Sequence, residues 1–410
     1  MVAHALTAIQ WLLLSGCCAA SVYAVFAAVA MPSFASRRTA AVRHAAHQFA
    51  GVGVSVLKPL CGAEPRLYEN LTTFCEQRHG RFQLLLGVSS PDDPAVAVVR
   101  RLQAAWPAHD IELVVNERVH GSNLKVSNLI NMAEHARYDV IVIADSDIAV
   151  TPDYLDTVAA PLADPRVGVV TCLYVAQGIG GFWPRVGALF VNEWFAPSVR
   201  VAHATGSRRF GFGATLALRR TTLDRIGGFN ALRNCLADDY WLAEHVRALG
   251  LRTVLSRVMV TTDVIEPTFA TLWQRETRWL RTIRSVRPQG FAFLFITFTS
   301  PWLMLGAWLA CGLEAGADGA HLTAALASGA STIAGGAARV LLHWRSARHS
   351  RTFWRDLALT PLRDTLLAAQ WLAAAFGSHV MWRGARVPLE VSTAQDVMEV
   401  LDVMETQDGG

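Results

Sequence analysis

In the stretch VIVIADSDIAV, an apolar run ends on two carboxylates one residue apart. Val140, Ile141, Val142 and Ile143 have the pattern of a buried strand, and Asp145 and Asp147 follow at once. Oxygen donors at this spacing suit a hard divalent cation, Mg2+ or Mn2+. Such an ion takes one or two carboxylates and completes its shell with phosphate oxygens and water. Bound there, it would neutralise a leaving phosphate group. A solvated turn accounts for the same pair without chemistry, so the other charged clusters have to decide.

Three such clusters stand out. SSPDDPA sets Asp92 and Asp93 behind a second apolar run, FQLLLGV. LADDYWLAEHVRALG sets Asp238 and Asp239 at the start of a helix whose Leu242, Val246 and Leu249 share a face. Carboxylates cap free N–H groups at such a start, and a general base toward a hydroxyl is the functional alternative. QRETRWLRTIRS carries Arg275 and Arg278 at i and i+3, on one face, where they can clamp a diphosphate. Trp279 beside them can stack on a sugar or pack toward a membrane, and Arg281, Arg284 and Arg287 suit lipid headgroups. Positive charge is almost all Arg. Lys occurs only at Lys58, ending a strand in LKPL, and at Lys125 in GSNLKVSNLI, and a compact ammonium is a common phosphate partner.

The elements that must position these groups alternate. VSVLKPL, FQLLLGVSS, IELVVNE and VIVIADSD read as strands, with helical patterns over 93–106 and 122–136 between them. Alternation of this kind predicts an α/β layer, a mostly parallel sheet with helices on both faces. Ligands of such sheets bind at the carboxyl ends of the strands, where DDPA and ADSDI both fall.

Composition adds a membrane. Hydrophobic residues make up 52% of 410 and charged residues 17%, which fits a globular domain joined to apolar spans. A net charge of +4 excludes general nucleic-acid affinity. The 7 cysteines are scattered without a CxxC pair, which argues against zinc and a disulfide framework and for a reducing compartment. Residues 6–30 can cross a bilayer. No Lys or Arg precedes them, while Arg37, Arg38 and Arg43 follow, which predicts an uncleaved anchor with the next domain in the cytoplasm. Residues 290–312 and 320–342 read as two further spans, joined by acidic EAGADG and followed by basic HWRSARHSRTFWRD. A weaker run, 357–381, holds Arg363, Asp364, Gln370 and His379 and reads as a re-entrant or interfacial segment, a third span being the alternative. The layout is therefore an anchor at 1–35, a cytoplasmic domain at 50–288, a membrane region at 290–381 and a tail at 382–410.

VSVLKPLCGAEPRLYENL, DDPA, KVSNLIN, ADSDI, ADDYW and RETRW follow one another in the order seen in ceramide-glucosyltransferase-like glycosyltransferases, family 21, of GT-A fold, which this chain resembles over about 50–290. KVSNLINM, ADDYWLAEHVRALG and NEWFAPSV are most similar to the bacterial branch linked to hopanoid biosynthesis. The resemblance implies donor binding by Asp93 with neighbouring Asp92, and donor and metal binding by Asp145 with Asp147. It implies Asp239 as general base with Asp238 beside it, and Arg275, Arg278 and Trp279 as the final catalytic motif, Arg278 also meeting the donor. Lys58, Lys125 and Asn128 fall in substrate-binding motifs. The implied activity is inverting transfer of N-acetylglucosamine or glucose from a UDP-sugar, with Mg2+ or Mn2+, to a hydroxyl of a membrane lipid. A hopanoid is the first acceptor, ceramide the alternative and a polyprenyl phosphate a further one. The implied location is the bacterial inner membrane, multi-pass, with the site on the cytoplasmic side and no stable protein partner. Three features depart from the family. Asp147 completes a full DxD, Ala196-Pro197 stands where animal ceramide enzymes carry His-Pro, and Gln274 directly precedes Arg275, so no strict QxxRW occurs.

Overall fold

Eight strands, β1 Val54–Pro59, β2 Phe82–Val88, β3 Ile111–Val115, β4 Val140–Ile143, β5 Ile148–Ala149, β6 Val167–Gly178, β7 Leu216–Arg219 and β8 Arg252–Val264, form one sheet in the order β3-β2-β1-β4-β7-β6-β8-β5. The computed structural model describes residues 2–30, 51–313, 319–347, 352–377, 379–382 and 385–388. Arg37, Arg38 and Arg43, on which the expected orientation rests, and the tail from 389 lie outside these residues.

Four strands are mutually parallel, with Val54 of β1 beside Phe82 of β2 and Val140 of β4, and Leu84 of β2 beside Ile111 of β3. Their side chains alternate between two cores. Val54, Val56, Leu84, Leu86, Val140 and Val142 pack with Leu71, Phe74 and Val99 on one face. Leu57, Leu85, Ile141 and Ile143 pack with Leu129, Met132, Leu242 and Val246 on the other. Helices thus cover both faces, which is why these strands read as continuous apolar runs.

The rest of the sheet brings in antiparallel pairs: β7 with β4, β6 with β7 and β5 with β8. The sheet is mixed, with the expected parallel order confined to one half. β5 follows β4 after residues 144–147 alone, and a parallel return needs a crossover of about a dozen residues or more. Within the parallel half, β2 and β3 lie on one side of β1 and β4 on the other. The β1/β4 junction is therefore a topological switch point, where open α/β sheets bind ligands at their carboxyl edge.

The described residues fall into two compact units. The sheet unit comprises 51–177 and 207–265; the second draws on 2–30, 178–206 and the described part of 266–388. Segments 178–206 and 266–288 lie within the stretch read as the globular domain, yet they pack with the apolar helices, in keeping with sequences such as FWPRVGALFVNEWF.

In that second unit, two helices contain stretches long and apolar enough to cross a membrane, Ala8–Ala30 and Leu322–Ala347. The run at 290–312 breaks into the helix Pro288–Ala292, a 3-10 turn Leu294–Thr297 and the helix Thr299–Leu313. At 1.5 Å per residue this last helix is about 22 Å long, against a hydrocarbon core of about 30 Å. Glycines let these helices approach closely. A Cβ at Gly16 would lie 2.4 Å from the Trp302 ring, and one at Gly306 2.5 Å from Thr332 Oγ1, the small-residue packing typical of membrane helices. The helix Phe353–Ala375 follows, with Arg363, Asp364 and Gln370 buried along it. An antiparallel hairpin, β9 His379–Trp382 with β10 Ala385–Pro388, closes the described chain.

Gly87 on β2 tests the helix-to-sheet fit of the sheet unit. A Cβ there would meet Asn128 Oδ1 at 2.3 Å and Met132 Sδ at 2.4 Å. Gly87→Val is expected to cost about 1–3 kcal/mol, read as a lower apparent melting temperature of the purified protein. An unchanged melting temperature would contradict the packing.

Candidate active site

Both lysines of the chain lie at the β1/β4 edge. Lys58, near the end of β1, is fully buried. Its Nζ donates to the carbonyl oxygens of Asp145 (2.8 Å) and Ile148 (3.3 Å) and lies 3.9 Å from the centre of the Phe74 ring. Burial pushes its pKa down to about 7, against the attraction of Asp147, Asp145 and Glu64. The ammonium therefore supports the backbone of the loop carrying Asp145 and Asp147, and a direct phosphate contact is not what this position offers.

Lys125 reaches the same loop from above. It lies in the first turn of the helix Leu124–Ala133, which starts where the Asn123 side chain accepts from Val126 N. Asn123 Nδ2 also donates to Cys235 O at 2.7 Å, tying this start to the segment before Asp238. Lys125 Nζ is 2.7 Å from Asp145 Oδ1 and 3.3 Å from Asp238 Oδ2. Burial opposes its charge, but Asp145, Asp238 and Asp239 outweigh burial and hold its pKa above the usual lysine range.

Asp238 and Asp239 open the helix Asp238–Ala248. Asp239 accepts from Gly213 N through Oδ2 and from Tyr240 N through Oδ1, both at 2.8 Å. Its removal from water and the neighbouring Asp238 raise its pKa to about 6, although Lys125 and the two backbone N–H groups pull the other way. A carboxylate tuned toward neutrality in this way suits general base work.

The sequence reading passed over Gly213. A Cβ there would lie 2.8 Å from Asp145 Oδ2 and 3.2 Å from Lys125 Nζ, and one at Gly211 would lie 2.4 Å from Asp239 O. The GFG spacing in RRFGFGAT is the signal by which the sequence could mark it: the backbone passes where a side chain would fill the site.

Asp145 and Asp147 are the donors a divalent cation would meet here. Asp145 presents Oδ2 toward the bare Cα of Gly213, and its side chain is 37% exposed. Asp147 is oriented by Thr262, whose Oγ1 donates to Oδ2 at 2.6 Å. Among the described residues no group of three or more His, Cys, Asp and Glu could hold a metal by itself. The pair of carboxylates fits a hard cation that takes its other ligands from substrate phosphate and water.

The remaining sheet-unit candidates act nearby or elsewhere. Asp93 accepts from Gly62 N (3.0 and 3.1 Å) and Ala95 N (2.8 Å), joining the loops after β1 and β2. Asp92 is exposed. Asn128 is buried and donates to Gly87 O at 2.8 Å, so its side chain holds helix to sheet. The structure thus gathers Lys125, Asp145, Asp238 and Asp239 and places Lys58 and Asn128 in supporting roles.

Arg275, Arg278 and Trp279 belong to the second unit, on the helix Phe269–Val286, which opens with a capping box of Thr268 and Thr271. Arg275 Nη1 is 2.5 Å from Glu266 Oε2, and its guanidinium stacks 4.7 Å from the Trp279 ring. Trp279 packs on Phe190, with centroids 5.5 Å apart. Arg281 and Arg284, read from sequence as headgroup contacts, instead donate to backbone carbonyls. Arg281 reaches His379 O at 3.0 Å, and Arg284 reaches Ala375 O and Gly377 O.

A family model described as "Glycosyl transferase family 21" matches residues 13–394. Ceramide glucosyltransferase 1 of Caenorhabditis elegans is 27% identical over 237 residues, 58% of this chain and 51% of that protein. Ceramide glucosyltransferase of Pyricularia oryzae is 34% identical over 113 residues, 24% of this chain and 23% of that protein. The chain thus spans about half the length, or less, of these curated relatives. Among solved structures, mannosyltransferase PcManGT from Pyrobaculum calidifontis, in complex with GDP-Man and Mn2+, is similar with a TM-score of 0.45 and 20% identity, over 86% of this chain and 99% of that one.

Lys58→Met keeps the apolar stem and removes the donor beneath Asp145 and Ile148. Hydrogen bonds from a charged donor contribute about 1.5–3 kcal/mol, and among the described residues Asp145 O would keep only Ile148 N at 3.4 Å, so the apparent melting temperature is expected to fall. A variant as stable as the parent would show that the loop does not depend on this ammonium.

Proposed function

We propose that this chain, which belongs to glycosyl transferase family 21 and carries the α/β sheet of a GT-A domain, moves a hexose from a UDP-sugar to a hydroxyl of a ceramide-type membrane lipid. The observation that carries this reading is Asp239, raised to about 6 and held beside the Lys125–Asp145 pair at the switch point of the sheet. The relatives matched are named as ceramide glucosyltransferases, and they favour ceramide over the hopanoid first expected from motif wording. The apolar helices Ala8–Ala30 and Leu322–Ala347 suit an enzyme whose acceptor resides in a bilayer.

Asp239 takes the proton of the acceptor hydroxyl as its oxygen attacks the anomeric carbon. The bond to the diphosphate breaks with its electron pair leaving on UDP, and attack from the opposite face inverts the anomeric centre. Lys125, 2.7 Å from Asp145 Oδ1, would exchange that contact for one with the departing phosphate. A divalent cation held by Asp145 and Asp147 would supply Lewis-acid neutralisation of that charge. Arg275 and Arg278 are the guanidiniums this reading assigns to the diphosphate, as pairs of Arg commonly grip such groups.

The test supplies the purified chain in lipid nanodiscs with MnCl2, UDP-glucose or UDP-N-acetylglucosamine, and either ceramide or a hydroxylated hopanoid, with products read by mass spectrometry. A hexosylceramide is expected. A hexosamine-bearing hopanoid would return the acceptor to the hopanoid class, and UDP release without any glycolipid would contradict lipid transfer. Asp239→Asn is expected to lower kcat about 10²–10⁴-fold with UDP affinity nearly unchanged. In the parent the rate should fall as pH drops through about 6, because protonated Asp239 no longer accepts a proton. A rate flat down to pH 5, or an active Asp239→Asn variant, would remove Asp239 as the base.

A further inference from the structure

Glu276 sits inside RETRW, between Arg275 and Arg278, and its side chain is bonded to the helix Phe353–Ala375. Its Oε2 accepts from Arg363 Nη1 and from Gln370 Nε2, each at 2.8 Å. Arg363 Nη2 donates to Gln370 Oε1 at 2.6 Å, closing a ring of three hydrogen bonds between the helices Phe269–Val286 and Phe353–Ala375. All three residues are at most 1% exposed.

The next residue, Asp364, points about 100° further round its helix. It accepts from Arg339 Nη2 (3.1 Å), Ser300 N (3.0 Å) and Ser300 Oγ (2.7 Å). Arg339 Nη1 reaches Glu193 Oε2 at 3.3 Å, and Glu193 Oε1 pairs with His343 Nδ1 at 3.0 Å. Glu193 lies in a π-helical segment, Phe190–Phe195. Adjacent residues 363 and 364 therefore tie the motif helix on one side, and the helices Thr299–Leu313 and Gly319–Ala347 on the other.

Stability alone does not explain this arrangement. A buried ion pair is often no more stabilising than well-packed apolar groups of similar volume, and among the described residues Oε1 of Glu276 and Nε of Arg363 have no hydrogen-bond partner. Direction does explain it. On a helix, Arg275 and Arg278 project about 60° apart, and Glu276 projects about 100° from the first and 160° from the second. Fixing Glu276 therefore fixes where both arginines point. Arg281 and Arg284 hold the far end of the same helix on the carbonyls of Ala375, Gly377 and His379, which opposes rolling and sliding.

We infer that the Glu276–Arg363–Gln370 ring is the positioning device for the motif arginines, with Arg363 acting on a nucleotide diphosphate through Arg278. The inference rests on the diphosphate role proposed above for Arg278. The test titrates the full chain in nanodiscs with UDP, and separately with uridine, in MnCl2. Arg363→Met is expected to weaken UDP about tenfold or more, as misplaced binding groups do, and to leave uridine unaffected. In an Arg278→Ala background, Arg363→Met should weaken UDP by no more than about twofold further, because the two act in series. Gln370→Met keeps both charges and should show the same pattern more weakly, which guards against a folding failure in Arg363→Met. Unchanged UDP affinity in Arg363→Met, an equal loss for UDP and uridine, or a full additional loss in the Arg278→Ala background would each overturn the inference. Arg278→Ala with normal UDP affinity would instead contradict the motif reading on which the inference stands.

Discussion

The sheet unit is organised around one electrostatic constraint, an ammonium among carboxylates. Lys125 contacts Asp145 and Asp238, and Asp239 adds its field to theirs. Like charges at such range repel strongly once water is removed, so the cluster survives only because each member is held by something rigid. Lys58 fixes the loop of Asp145 from below, Thr262 fixes Asp147, and the backbone N–H groups of Gly213 and Tyr240 fix Asp239. The negative excess left after Lys125 favours a cation, and in the function proposed above that cation would bring the diphosphate with it.

The second unit solves a different problem, how to keep polar groups among apolar helices. Several of its charged side chains are buried in pairs: Glu193 with Arg339 and His343, Asp364 with Arg339, and Glu276 with Arg363. An ionisable group in such surroundings is tolerated only when paired. Apolar faces elsewhere in this unit remain open, with Ile333 75% exposed on a helix long enough to cross a membrane. Aromatic packing extends the same logic, since Trp279 rests on Phe190 and Phe190 on Trp194.

Much of the sheet unit could be read from residue order. VIVI followed by Asp145 and Asp147 was legible because a strand buried on both faces is a short unbroken apolar run. The antiparallel half was not, because β5 is two residues long and β8 gains its place by pairing Thr262 with Ile148 across the sequence. Asp239, the base proposed above, was legible as a candidate from its motif, but its raised pKa depends on burial and Asp238 outweighing Lys125 and the N–H groups of Tyr240 and Gly213. Lys58 looked like a phosphate ligand because its carbonyl partners lie 87 and 90 residues away. Arg363, Asp364 and Gln370 looked like blemishes in a membrane segment, because Glu276 and Arg339 meet them only in the fold. Composition gave the presence of apolar helices and not their lengths, and the 290–312 run breaks near Ser300, whose N–H and Oγ both serve Asp364.

The most direct test of the central claim is Mn2+ electron paramagnetic resonance of the full chain in nanodiscs, titrated with UDP. If the Asp145–Asp147 loop beside Lys125 is a joint cation and diphosphate site, UDP will draw free Mn2+ into the bound state in the parent. Asp145→Asn will then leave the free-ion signal in place. Equal Mn2+ uptake by Asp145→Asn, or uptake that ignores UDP, would contradict the account.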